Sequence, residues 1–368
     1  MDWRFENYDA QGKRRDEILD RLRGIFHDIL LRVGGDAEEA LEWMRVLGER
    51  HDLFNAGVSF QDFAKWLESG AQELERSRGR LQLSRRGERA IRDESLEQIF
   101  QGLSLDVGGE HGTPFAGQGT ERLPETRPWS YGDGTGDIAA GPSLRNALLR
   151  AGKDRAGSFQ LREEDLEVFE TEHRSACATV LLVDISHSMI LYGEDRITPA
   201  KRTAIALCEL IRTRFPKDYL GVVTFGDEAR EVPLDSLPYI EVGPFHTNTR
   251  GALVLARELL RRRGQANRQV FMITDGKPSA LTERDGTIYK NPFGLDRRVR
   301  AKTLEEADWL RRLGIPVTTF MLTEDPVLVD FVEEFTEVNQ GRAYYTGLGN
   351  LGGFMFVDYL RNRRRSVR

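Results

Sequence analysis

Ala178-Thr-Val-Leu-Leu-Val-Asp184-Ile-Ser186-His-Ser188 is the stretch on which the fold turns. An apolar run closed by an aspartate is the pattern of a strand buried on both faces, as in a parallel sheet covered by helices. Outward from it the pattern alternates. Residues 198–215 predict a helix, with Pro199 suited to its first turn. Strands follow at 219–225, 269–274, 315–322 and 343–345, separated by helices at 249–263, 298–313, 327–335 and 351–363. Strict alternation of strands and helices predicts an α/β fold with a doubly wound, mostly parallel sheet. In such sheets ligands bind beyond the carboxyl ends of the strands. The loops after Val183, Phe225, Thr274 and Leu322 are therefore the places to search for function.

At 368 residues the chain has room for a second domain. Ile18, Leu22, Ile25, Phe26, Ile29 and Leu30 recur at helical spacing and stop at Gly34-Gly35. Asp36 is placed to cap a second helix with Ala40, Leu41, Met44 and Leu47 on its core face. Ser59 opens a third, carrying Phe60, Phe63, Trp66 and Leu67. Leu81-Gln-Leu-Ser-Arg-Arg then reads as a short strand leading into a fourth helix. Between Ser104 and Pro142, 13 of 39 residues are Gly or Pro and apolar periodicity disappears, which predicts a linker or a long ordered loop. Trp129 and Tyr131 argue that part of it docks on a neighbour. The expected division is a small helical, winged-helix-like domain over 1–103, a Gly/Pro-rich linker or docked loop over 104–157, and the α/β domain over 158–368.

Composition narrows the function classes. A formal charge of -6 excludes a globally basic nucleic-acid binder, and 39% apolar residues suffice for an ordinary core. Two cysteines, Cys177 and Cys208, cannot build a disulfide framework or a multi-cysteine zinc site, and both sit in apolar runs. The opening Met1-Asp-Trp-Arg-Phe-Glu has no signal pattern and no 18-residue apolar stretch occurs, so the expectation is a soluble cytoplasmic protein without membrane association.

Oxygen donors cluster at the strand ends. Asp184, Ser186 and Ser188 place a carboxylate and two hydroxyls at i, i+2 and i+4 where a strand stops. Thr247 lies in His246-Thr-Asn-Thr249, just before a helix, and Asp275 in Thr274-Asp-Gly276, where another strand stops. Hard oxygen donors from three loops can converge on a small divalent cation. Here the sequence resembles the von Willebrand factor A (vWA) family over roughly residues 170–368. Its metal-ion-dependent adhesion site combines D-x-S-x-S, a threonine in a T-N-T-like loop and an aspartate in a T-D-G-like loop. The resemblance implies that Asp184, Ser186, Ser188, Thr247 and Asp275 hold Mg²⁺ (or Mn²⁺ or Ca²⁺), with Thr249 instead starting the helix. It further implies that the ion accepts a carboxylate from a partner protein. His187 stands where the family usually has a small residue, and His246 precedes Thr247. Both read as solvent-facing loop residues, the alternative being a rim that tunes partner binding near neutral pH.

Enzymatic chemistry fits poorly. A phosphoaspartate hydrolase wants a second acid where Ser186 stands. Gly276-Lys277 lacks the upstream glycine of a phosphate loop, position 271 being Phe. Ser188 lacks the G-x-S-x-G elbow of a hydrolase nucleophile. Residues 76–92 hold seven arginines and one acid, which reads as a solvated or protein-docking face or, as the alternative function, a nucleic-acid contact. The C-terminal Arg361-Asn-Arg-Arg-Arg is similarly basic. Among vWA proteins the closest resemblance is to bacterial intracellular members related to the magnesium-chelatase D subunit and to partners of MoxR-class AAA+ ATPases. That implies a non-enzymatic adaptor or co-chaperone acting in protein remodelling, complex assembly or metal-cofactor insertion. The alternative is a nucleic-acid-binding regulator whose vWA domain recruits protein.

Overall fold

Apolar spacing sets the first helix: Leu19, Leu22, Phe26 and Leu30 recur at three and four residues and are all buried in α1 (Ala10–Arg32). The computed structural model describes residues 10–51, 53–54, 58–102, 121–130, 138–151, 161–172, 176–193, 195–265, 267–275, 277–283, 285–291, 294–323, 325–345 and 351–363. Gly34 and Gly35 adopt positive φ, and the Gly35 amide reaches back 2.8 Å to the Leu30 carbonyl, ending α1. Asp36 accepts from the amides of Glu38 and Glu39 and so caps α2 (Ala37–His51). Ser59 and Asp62 form a capping box on α3 (Phe60–Lys65), which continues into a π-turn at Trp66–Gly70. A hairpin of β1 (Leu74–Ser77) and β2 (Arg80–Leu83) follows, its two-residue turn made by Arg78 and Gly79 at positive φ. From it runs α4 (Arg85–Gly102).

His27 fastens these pieces together. The ring is 2% exposed, with Nε2 2.8 Å from Glu73 Oε2 and Nδ1 against Glu94 on α4. Only an imidazolium can donate from both nitrogens. Burial alone would lower its pKa, but the hydrogen bonds and charges of Glu73 and Glu94 outweigh that and raise it above 6.5. The folded chain therefore holds this proton more tightly than the unfolded one. The stabilisation is complete below pH 6.5 and is lost as pH rises through the raised folded value. Urea midpoints measured across that window are expected to fall in the wild type more steeply than in His27→Gln. Parallel profiles would refute the assignment.

The described residues fall into two units. In the smaller, β3 (Glu121–Pro128) pairs antiparallel with β4 (Glu167–Glu172), and α5 (Ala140–Ala151) lies between them in sequence. The Trp129 amide donates 2.9 Å to the Leu166 carbonyl, and Arg150 grips Asp165 at 2.7 Å. The stretch expected as linker or docked loop, 104–157, thus contributes β3 and the whole of α5. Tyr131 and residues 364–368 of the basic C-terminal stretch lie outside the described residues.

In the larger unit, β5 (Cys177–Asp184) leads through α6 (Ile197–Arg214) to β6 (Tyr219–Phe225) and the short β7 (Ala229–Val232). Then come α7 (Thr249–Arg261), β8 (Asn267–Thr274) and a small hairpin of β9 (Ala280–Thr282) and β10 (Ile288–Lys290). The chain continues through α8 (Arg297–Arg312), β11 (Val317–Met321), α9 (Pro326–Asn339), β12 (Arg342–Tyr345) and α10 (Leu351–Arg363). The sheet order is β12-β11-β8-β5-β6-β7, with β7 antiparallel to its neighbour. All eight residues of β5 are buried, as a doubly covered strand requires.

Side chains alternate between two cores. Ala178, Val180, Leu182, Val270 and Met272 pack on one face with Ala252, Leu253 and Leu260 of α7, Leu310 of α8 and Phe335 of α9. Leu181, Val183, Phe271, Ile273 and Phe320 pack on the other with α6, α10 and the N-terminal helices. The N-terminal region therefore shares one continuous core with half of the sheet. Lys201 on α6, 1% exposed, donates 2.6 Å to the Leu31 carbonyl in the last turn of α1 and 3.3 Å to that of Pro238. The negative end of the α1 dipole suits an ammonium there. Burial still lowers the lysine's pKa to about 8, against the opposing pull of Asp195 and Glu241. Around it Arg202 pairs with Asp28, Arg32 with Asp195 at 3.5 Å, and the Tyr239 hydroxyl donates 2.8 Å to Glu88. Tyr239 lies so close to Gly35 that a β-carbon there would be 2.3 Å from its ring, which only glycine permits.

Candidate metal centre

The carboxyl edge of the sheet gathers the expected donors. Asp184 ends β5 with 0% exposure; its Oδ1 accepts from the Ser186 amide at 2.9 Å and its Oδ2 from Thr274 Oγ1 at 2.6 Å. Ser186 and Ser188 place their hydroxyl oxygens 3.0 Å apart. Ser188 also hydrogen-bonds to Asp275, which follows β8. Thr247 enters through its backbone: its amide donates 3.0 Å to Ser279 Oγ, and its carbonyl accepts from the amides of Ser279 and Ala280. The loop carrying it is stitched to the serine loop by His187 N–H to Phe245 O at 3.1 Å and Gly243 N–H to Ile185 O at 3.3 Å. Thr249 begins α7, as expected, and Asn248 caps it through the Gly251 amide at 2.9 Å.

Burial raises both carboxylates here. Asp184 is pushed up to about 7, first by burial and then by the charge of Asp275. Asp275 is also raised, chiefly by burial. Arg196 Nη1 stands 3.7 Å from Asp275 Oδ2 and offsets part of the charge, whereas Asp275 Oδ1 is buried with no hydrogen-bond partner among the described residues. An orphaned anionic acceptor among hydroxyls, beside a second carboxylate, is a donor set that fits a small hard cation. Among the described residues no group of three or more His, Cys, Asp or Glu side chains is placed to hold a metal, so any ion here depends on the hydroxyls.

Three further residues shape the centre. Thr274 orients Asp184 and was in view as part of Thr274-Asp275. Ser279 and Arg196 lie outside the motif, and only the folded chain brings them in. His187 is exposed. His246 is half-buried, its amide donating 2.9 Å to Asp227 and its Nδ1 3.4 Å from the same carboxylate, which Lys290 also grips at 2.6 Å. Gly276 lies outside the described residues. No described helix is long and apolar enough to cross a membrane.

A six-stranded, mostly parallel sheet wrapped on both faces, with its conspicuous site at the carboxyl edge, is the architecture of a vWA domain. Residues 177–360, half of the chain, match the family described as "Rv0959-like protein, vWA domain", and residues 121–171 match "Rv0959-like protein, third domain". The chain belongs to this Rv0959-like family of vWA proteins. It is 38% identical over 294 residues to the uncharacterized protein Rv0959 of Mycobacterium tuberculosis (strain H37Rv) and, equally, to the uncharacterized protein Mb0984 of Mycobacterium bovis. The match covers 78% of this chain and 43% of either relative, so this chain spans less than half the length of those curated relatives. Among solved structures it is similar to the PilB minor pilin from Streptococcus sanguinis (TM-score 0.40, 14% identity, 57% of this chain and 67% of that one). It is also similar to the vWF domain of the pili tip protein Mfa5 from Porphyromonas gingivalis (0.40, 11%, 53% and 98%). A third is a von Willebrand factor type A protein from Catenulispora acidiphila (0.39, 15%, 51% and 43%).

Proposed function

We propose that this chain is a metal-dependent protein-binding module that serves as adaptor or co-chaperone to a AAA+ ATPase of the MoxR class, without catalytic chemistry of its own. The observation that carries the reading is the unbalanced buried charge at the sheet edge, where Asp275 Oδ1 has no hydrogen-bond partner among the described residues. Asp184, Ser186, Ser188, Thr247 and Asp275 would hold Mg²⁺, or Mn²⁺ or Ca²⁺ in its place. Bound there, the ion would supply a positive charge that a partner's carboxylate can join. Thr274 holds Asp184 in orientation and Ser279 holds the Thr247 loop. Protein docking is favoured over nucleic acid because four of the seven arginines in the basic segment already have partners within the protein, although six of the seven are exposed. Arg76 pairs with Glu68, Arg86 with Gln72, Arg89 with Asp93, and Arg92 with Glu209 and Asp235.

The test is affinity purification of the full chain from a bacterial lysate, with Mg²⁺ or with EDTA. A AAA+ ATPase retained in Mg²⁺ and lost both in EDTA and from Asp184→Ala is the expected result. Equal recovery in all three conditions would overturn the metal clasp, and recovery of RNA or DNA in place of an ATPase would overturn the adaptor role.

A further inference from the structure

Phe245 is an apolar side chain built rigidly beside the candidate metal centre and left 38% exposed. Its ring is pressed onto two glycines. A β-carbon at Gly243 would fall 2.1 Å from its Cε2, and one at Gly226 would fall 2.7 Å from its Cβ. Both glycines are themselves fixed, Gly243 donating to the Ile185 carbonyl and Gly226 accepting from the Asn248 amide at 2.8 Å. The Phe245 carbonyl accepts from His187, between the two serines of the donor set. The backbone that carries the ring is therefore tied directly to the donor loop. Ile190, two residues beyond Ser188, is exposed on that same loop. An aromatic surface held in place by backbone contacts costs little entropy when a partner covers it, which is the property of an interface anchor.

We infer that Phe245, with Ile190, is a specificity platform for the partner. It selects a segment whose metal-seeking acidic residue has an aromatic or branched aliphatic neighbour one or two positions away. The inference rests on the metal-clasp reading and deepens it. Charge picks the acid, because Asp184 and Asp275 call for a cation that a carboxylate can join. The platform picks its neighbour: Phe245 stands two residues before Thr247 and its carbonyl is bonded to the His187 amide, so a side chain one or two residues along an extended partner, at about 3.3 Å per residue, is the one set to meet it. Neither Phe245 nor Ile190 is a donor, so each can be changed without altering the metal set.

The probe is an array of nonapeptides with a central Asp or Glu in a Gly/Ser background, each carrying one varied neighbour. Full-length chain is applied in Mg²⁺ and in EDTA. The wild type is expected to bind only in Mg²⁺ and only to acid-bearing peptides, with about tenfold preference for an aromatic or branched aliphatic neighbour. Phe245→Ala is expected to keep the acid and Mg²⁺ requirements and lose the preference. Gly243→Ala should do the same by evicting the ring, and should add nothing in the Phe245→Ala background. The rise in melting temperature caused by Mg²⁺, equal in all three proteins, shows that fold and donor set are intact. Acid-dependent binding that ignores the neighbour, or a preference that survives Phe245→Ala, would overturn the platform and leave the clasp standing. Binding indifferent to Mg²⁺ or to the acid, or no binding to any peptide, would overturn both.

Discussion

Deleting residues 1–102 is expected to leave the remaining chain unable to fold stably, although the whole central sheet is retained. The reason lies in α6. Thirteen of its eighteen residues are buried, among them Lys201 and Glu209, which an ordinary surface helix would leave in water. Its outer side is covered by α4 and α1: Ile205 and Cys208 line one small cleft with Arg92, and Lys201 points at the last turn of α1. Each large apolar side chain returned to water costs about 1.5–3 kcal/mol. Two or three of them approach the ~5–15 kcal/mol by which a domain is stable at all. Ion pairs of Arg92 with Glu209, Arg32 with Asp195 and Arg202 with Asp28 go at the same time. The check is soluble yield and circular dichroism of a chain starting at residue 103. A soluble fragment melting cooperatively within a few degrees of the full chain would refute the shared core.

Asp184→Asn is expected to act in opposite directions with and without divalent metal. In EDTA the variant removes one of two buried like charges while keeping the shape of the side chain, so its melting temperature should equal or exceed that of the wild type. In excess Mg²⁺ the wild type should gain about 2.7 kcal/mol at a hundredfold excess of metal over Kd, and the variant should gain nothing. The two curves would then cross. Ser186→Ala is the milder companion, since it removes a neutral donor and leaves both carboxylates. A wild type whose melting is the same in Mg²⁺, Mn²⁺, Ca²⁺ and EDTA would sink the metal centre outright.

Much of the fold was legible because its signals are contiguous. Each strand of the parallel sheet is a short apolar run, and its length and closing residue lie within a few positions of one another. The boundaries that moved did so for local reasons. The helix expected over 327–335 runs on to Asn339, because Asn339 is buried despite its polarity. It accepts from the Val317 amide at 2.6 Å and donates to the carbonyls of Ala307 and Ile315, an inter-element bond with no periodic trace. The strands β7, β9 and β10 span three or four residues each, too short for alternation to register. The same contrast holds at the site. Asp184, Ser186 and Ser188 stand within five residues, whereas Arg196 meets Asp275 from 79 positions away. Amphipathic stripes in α1 and α4 announce a buried face without naming what it faces. The answer was held by single residues such as Lys201, whose partners are carbonyl oxygens that any sequence would offer.

The lysine sealed between Leu31 and Pro238 also decides who can approach. A sheet wound on both sides normally presents two flanks and a rim to its surroundings. In this unit one flank is closed by the chain's own first hundred residues. Asp184, Asp275 and Phe245 lie at the rim, and α7, α8 and α9 form the other flank. The N-terminal helices thus work as a blindfold on one face of the sheet, and under the proposed metal clasp they would turn a partner toward the edge where the charge is unresolved.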